Sequence, residues 1–435
     1  MVLARIDEIQ VEFMINKRLM QLNFYVCMLG LLSACAFHKT SDQALIAALQ
    51  APTSARLGYD LSQDPMILAM RWSQLLHTSR LRPLLQSSFA HNNNLAAARA
   101  ALVSARELLL AQGRQSYFPN VQLQGNIMRA NHSSSAAPGA AHNLITPGLS
   151  LSYDLELFGG SKYLLNKFKA QFAYQSALLA ATYLDLSANI MHTLLKLGFI
   201  NDSIAVTQNM ITISNKQLKI SEQQVKLGSM AGSTFLNAQA SLALMVAKLP
   251  QLLQARTELI NLLQVLTGAD LMHSHLDKLS LAHFSLSPHV PLRIAAETAQ
   301  QRPDVRAVMA LMATANAQVG IATANLLPKF TLVANYAWSA EQLEHLFAHT
   351  NLVWNLGASL LQPVFNGGAL RAQRRAAIAD WYRCAANYRN VLLTALADIS
   401  NTLQQLHNDR DILQHIMYSY KLVEHKAFIA QEQVA

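Results

Sequence analysis

The sequence predicts a mainly α-helical protein with a membrane β-barrel portion: long coiled-coil helices plus four transmembrane strands per subunit, in two structural repeats. Three observations predict its repeats, strands and long helices. The chain repeats itself: Leu95 to Leu102 leads to Tyr117-Phe118-Pro119, and Asp304 to Leu311 leads to Leu326-Leu327-Pro328, with the prolines 209 residues apart. Phe158-Gly159-Gly160 likewise returns as Phe365-Asn366-Gly367-Gly368. Between those marks apolar residues alternate with the period of strands, and after each Gly-Gly they recur every seven residues, as in packed helices.

Composition bounds the choices. Apolar residues make up 52% of the 435, charged residues 14%, and mean hydropathy is +0.17. Past residue 40 no run of about 18 uncharged apolar residues would cross a bilayer as a helix. The apolar content therefore points to amphipathic helices packed on several sides, or to a barrel. The net charge is +9, but the 34 Lys and Arg are scattered. Their densest cluster, Arg371, Arg374 and Arg375, fits one exposed helix face, so no nucleic-acid partner is expected. Cys27, Cys35 and Cys384 form no CxxC, so neither a disulfide framework nor a zinc site is implied.

Residues 1–34 read as a signal peptide. Lys17 and Arg18 precede an apolar stretch, Leu22 to Ala34, too short to span a bilayer and ending in small residues. The acidic residues Asp7, Glu8 and Glu12 are unlike a signal's basic start, which makes Met14 or Met20 the better first residue. Leu32-Ser33-Ala34-Cys35 resembles the lipobox of bacterial lipoproteins. That resemblance implies cleavage before Cys35 and acylation, including palmitate, at its thiol and amino group; several chains at about 0.8 kcal/mol per CH2 would anchor the protein stably. Ala36 is compatible with the outer membrane. Residues 35–94 then form a lipidated N-terminal segment.

Residues 95–270 form repeat 1, a helix, two strands and a long helical hairpin. Leu149, Leu151, Tyr153 and Leu155 alternate with Ser150, Ser152 and Asp154, and Val121, Leu123 and Ile127 do so more weakly. In repeat 2, residues 299–435, Phe330, Leu332, Ala334, Tyr336 and Trp338 form one alternating run and Leu352 to Leu360 another. These runs are close to the ~9–11 residues of a tilted transmembrane strand. The loop Asn131–Asn143 is rich in Ser, Ala and Gly and reads as an exposed connection. Four strands cannot close on themselves, and lipid tolerates no open edge. Either the barrel is shared between subunits, or the strands make a soluble sheet with one wet face.

Gly159, Gly160, Gly367 and Gly368 read as strand-to-helix turns; no GK[ST] follows, so they make no phosphate loop. From Gly160 to Gly228 the chain lacks proline and reads as one helix of about 67 residues, ~100 Å long. Within it Ile190, Leu197, Ile204, Ile211, Leu218 and Val225 form one heptad seam, and Phe199, Val206, Ile213, Ile220 and Leu227 a second. The seams lie on nearly opposite sides, so each helix is gripped on both flanks, and lateral repetition builds a cylinder. A plain antiparallel bundle is the alternative. Repeat 2 continues the first seam as Leu392, Ile399, Leu406, Leu413, Tyr420, Ala427 and Val434.

In the linker, 271–298, His273, His275, His283 and Asp277 match no zinc spacing and read as solvated loop residues. Cys384 has no His partner at helical spacing and reads as a structural thiol. No catalytic constellation, metal site or cofactor site emerges, so no enzyme is expected.

Several patterns together resemble one family. Trp72-Ser-Gln-Leu-Leu, Phe89-Ala90 and Asn93-Asn94-Leu95 are one; Arg302-Pro303-Asp304-Val305 with Ala317, Gly320, Ala322 and Pro328 is another. Leu361-Gln362-Pro363-Val364-Phe365-Asn366-Gly367-Gly368 is the most specific. They resemble the TolC-like outer-membrane efflux proteins, in particular the OprM-like and NodT-like lipoprotein branch. The resemblance implies a homotrimer whose subunits each give four strands to a twelve-stranded barrel in outer-membrane lipid, and helices to a periplasmic tunnel. It implies a periplasmic adaptor (membrane fusion) protein and an inner-membrane pump as partners, and passive efflux of drugs and small toxic compounds. It also implies that the hairpin tip, Lys226, Leu227, Gly228, Ser229 and Met230, contacts the adaptor; Thr234 stands where the family often has an acidic residue. A type I protein-secretion channel and a periplasmic coiled-coil scaffold are the alternatives. Shifted by 209, the returning helix of repeat 1 would fall at about 437 to 477, beyond Ala435. Repeat 2 is thus expected to lack its returning helix, and a truncated, non-functional remnant is a further alternative.

Overall fold

The computed structural model describes residues 76–77, 81–130, 142–268, 276–286 and 296–432. Cys35, His273, His275 and most of the loop Asn131–Asn143 lie outside the described residues.

Two helices lead in, α1 (Leu81–His91) and α2 (Asn93–Tyr117). Asn92 separates them: its side chain accepts the Leu95 N–H at 3.0 Å, capping α2, and donates to the Leu266 carbonyl at 3.0 Å. Pro119 ends α2, since it has no N–H to give a further helical turn. The hairpin β2 (Asn120–Ala130) and β3 (His142–Leu155) follows. Next come α3 (Gly160–Lys226), 67 residues long, and α4 (Gly232–Thr267), which returns along it.

The second half opens with α5 (Pro303–Ala324), whose proline sits in the first turn where its missing N–H costs nothing. The strands β5 (Lys329–Trp338) and β6 (Leu352–Leu361) precede α6 (Ala369–Glu432), 64 residues long. The four strands form one antiparallel sheet in the order β2-β3-β5-β6. Sequence repetition therefore becomes a sheet whose middle pair, β3 and β5, joins the two halves. Among the described residues no helix returns along α6 as α4 does along α3.

The core sits where α1, α2, α3 and α4 meet, around Leu85, Leu95, Ile190, Leu194, Leu197 and Leu263. Tyr183 on α3 ties it together: Phe89 meets its ring edge-on at 5.1 Å between centroids, and the Arg99 guanidinium donates to its hydroxyl at 2.6 and 3.1 Å.

Two findings differ from the sequence reading. The most apolar stretch of α5 has a mean hydropathy of 1.4, enough by length and composition to cross a membrane. Its small residues explain it otherwise: Ala307, Ala310, Ala315, Ala317 and Ala322 are buried as α5 packs between α3 and α6. The linker also holds a strand, β4 (Ser285–Leu286), which pairs with β1 (Leu76–His77). Residues 276–281 of the linker are pinned to α3, with Asn201 donating to the Leu276 and Leu279 carbonyls at 3.0 and 2.8 Å. The Leu281 N–H donates to Asp202 at 2.9 Å.

Candidate functional site

The strand register gives the sheet two unlike faces. Leu123, Leu149, Tyr336 and Trp354 stand opposite one another across the four strands, and Val121, Leu151, Ala334 and Leu356 form the next such row. The intervening rows are more polar: Gln122, Ser150, Asn335 and Asn355 form one and Asp154, Thr331 and Ser359 another, while Val333 and Gly357 stand in line with Asn120 and Ser152. Hydrogen bonds run along the polar face, from Asn335 to Asn355 at 2.9 Å and from the Thr331 hydroxyl to Asp154 at 2.7 Å. On the apolar face Leu123, Trp354 and Leu356 are 78%, 69% and 76% exposed. A water-soluble sheet would bury that face. A membrane barrel instead turns its apolar face to lipid and its polar face to a lumen. Among the described residues of one protomer both edge strands, β2 and β6, have an unpaired side, and lipid requires such edges to be paired.

The glycines at the sheet's base adopt conformations that other residues reach with difficulty. Gly159, Gly367 and Gly368 have φ of 75°, 62° and 81°. Gly160 is the first residue of α3 and does not share that conformation. The N–H of Ser161 in that first turn is received by Glu156 at 2.8 Å.

The first heptad seam is buried in its upper part, with Ile190 and Leu197 fully enclosed and Ile204 at 6% exposure. The second is open: Phe199, Val206, Ile213, Ile220 and Leu227 are 51–82% exposed. One protomer thus satisfies one seam and offers the other to a neighbour. On α6, Leu413 and Tyr420 of the first seam are exposed as well, whereas Val434 lies outside the described residues.

The hairpin tip is a tight helix end. Gly228 has a φ of 74°, and the Ser229 N–H donates back to the Gln224 carbonyl at 2.9 Å. Leu227 projects into solvent, and Ser229 is exposed beside it. Lys226 pairs with Glu222 at 2.9 Å, and that hydrogen bond and charge hold the Glu222 carboxyl below its ordinary range.

The Arg302-Pro303-Asp304 motif proves to be a brace between α5 and α6. Arg302 contacts Asp304 at 2.8 Å and Asp398 at 3.4 Å, and reaches the Ala395 carbonyl at 3.5 Å. Burial would raise the Asp304 carboxyl, but the hydrogen bonds from Arg302 and the Val305 N–H outweigh it and hold it low. Asp398 and the polar partners Asn355 and Ser359 were not singled out by sequence reasoning. The alternation that marks Leu352 to Leu360 as a strand could have marked the last two; nothing local points to Asp398. Cys384 is buried with an Arg383 nitrogen at 3.6 Å. Among the described residues no group of three or more His, Cys, Asp or Glu is placed to hold a metal.

Comparisons with known proteins agree with this geometry. The family model described as "Outer membrane efflux protein" matches residues 84–269 and 294–422. The toluene efflux pump outer membrane protein TtgC of Pseudomonas putida is 24% identical over 423 residues, covering 94% of this chain and 86% of that protein. The pyoverdine export outer membrane protein OpmQ of Pseudomonas aeruginosa is 25% identical over 386 residues, covering 81% and 77%. Among solved structures, the CmeC outer membrane channel of Campylobacter jejuni matches with a TM-score of 0.71 at 21% identity, covering 80% of this chain and 75% of that one. The outer membrane protein VceC of Vibrio cholerae matches with a TM-score of 0.69 at 23% identity, covering 76% and 79%.

Proposed function

The chain belongs to the outer membrane efflux protein family, and from that membership we propose a passive conduit for drugs and small toxic compounds, assembled as a homotrimer. The observation that carries this reading is the two-faced sheet with two open edges. Three copies joined edge to edge would close a twelve-stranded barrel, lipid outside and the Gln, Ser, Asn and Thr rows inside. The open second seam on α3 supports the same assembly lower down, where neighbouring helices would complete a periplasmic cylinder. Energy would come from an inner-membrane pump, as membership of a family named for efflux suggests. A periplasmic adaptor would bridge the two at the Lys226–Met230 tip.

The substrate class rests on the relatives, which are named for toluene efflux and pyoverdine export. Cys35 would be the acylated residue that adds a lipid anchor to the barrel. The division into residues 35–94, 95–270, 271–298 and 299–435 belongs to this reading too.

Expression in a Gram-negative host lacking its own efflux channel tests the proposal, with a compatible adaptor and pump supplied. Restored tolerance to drugs and organic solvents is the expected result. Outer-membrane insertion without any fall in drug accumulation would contradict it.

A further inference from the structure

The cluster Arg371, Arg374 and Arg375 lies outside the strand rows and the seam residues named above, and its setting suggests a use. It lies in the first turns of α6, at the level where strands give way to helices. Lys162 occupies the corresponding level of α3. Arg371, Arg375 and Lys162 are exposed. Arg374 donates to the Thr323 hydroxyl at 3.2 Å. Acidic residues are sparse: α3 has none before Asp185, and α6 none before Asp380, which is paired with Arg383 at 2.7 Å. The nearby Asp154 and Glu156 already accept hydrogen bonds from Thr331 and the Ser161 N–H.

A second feature shares that level. Three of the four strand–helix junctions expose an aromatic ring, Phe118 at 62%, Phe158 at 44% and Phe365 at 90%, and the fourth carries Leu327 and Pro328 instead. Aromatic girdles mark the boundary between hydrocarbon and headgroups. Arg371 and Arg375 lie about 3 and 9 Å along α6 from its start at 1.5 Å per residue. The headgroup layer is about 5–8 Å deep on each side, and long basic side chains reach back toward it.

We infer that this belt binds anionic phospholipid headgroups of the inner leaflet of the outer membrane, fixing the depth of the barrel. The partner follows from charge complementarity beside an aromatic girdle. It rests on the membrane reading of the sheet. Among the described residues Lys162, Arg371 and Arg375 have no acidic partner, and the leaflet supplies phosphodiester anions that sense their charge within a Debye length.

The test compares melting of the whole protein in nanodiscs of phosphatidylcholine with discs half phosphatidylglycerol. A rise of several degrees in the anionic discs is expected, shrinking at high salt and not reproduced by inorganic phosphate in detergent. The triple variant K162Q/R371Q/R375Q should melt as the parent does in phosphatidylcholine yet lose the rise, whereas K162R/R371K/R375K should keep it. Equal melting in both lipids, or a rise that survives in the glutamine variant, would overturn the belt while leaving the barrel intact. Failure to enter discs of either lipid would instead overturn the membrane reading.

Discussion

At the scale of single residues, close approach and special backbone shape decide what the family pattern can tolerate. Gly320 lets α5 meet α3, because a Cβ built there would clash with the Tyr163 ring. Overpacking of this kind costs about 1–3 kcal/mol, so Gly320→Ala should lower the melting midpoint by a few degrees without changing secondary structure. An unchanged midpoint would mean that the helices part freely at that point. Arg302 is different in kind, since its role depends on Asp398, 96 residues away. The motif around Arg302 is visible in the sequence, but its distant partner is not. Cys35 carries the residue-scale prediction on anchoring: globomycin, which blocks lipoprotein signal cleavage, should retard the protein's mobility in gels. An unshifted band would leave the barrel as the only membrane anchor.

At the scale of elements, the two seams of α3 make separate predictions. Ile213 is 66% exposed in the protomer, so Ile213→Lys should change protomer stability by no more than about 0.5 kcal/mol. It would nevertheless bring charge into the seam offered to a neighbour. Sedimentation in detergent should find the variant monomeric and the parent trimeric; trimers from both would show that the seam is not an assembly surface. Strands and long helices were legible because their two sides meet different surroundings, which writes period two or period seven into the sequence. The alternation around Leu151 and the heptads through Ile190 and Ile213 are both of this kind. Other elements carry no such imprint. The strands β1 and β4 are two residues each, too short to hold a period. The apolar run of α5 arises from alanines packed against two helices, and composition alone does not distinguish that from a membrane span.

At the scale of the whole molecule, one protomer is an unfinished object. Among the described residues its sheet has two unpaired edges, its apolar strand face is largely exposed, and α3 has a seam without a neighbour. These three exposures have one common remedy, lateral association inside a membrane, and the repeat explains why the same remedy serves both halves. Sequence periodicity made that incompleteness readable. It did not reveal which rows of the four strands stand together, because register depends on pairing between segments as distant as β3 and β5.

A sheet that divides lipid from water is tested most directly by site-by-site labelling of β6. Single cysteines would be placed at Asn355, Leu356, Gly357, Ala358, Ser359 and Leu360 in a Cys384→Ser background. Each would be treated, in membranes, with a charged, membrane-impermeant maleimide. Labelling should alternate, strong at 355, 357 and 359 on the polar face and weak at 356, 358 and 360 on the apolar face. Uniform labelling along the strand, or alternation of the opposite phase, would contradict the claim.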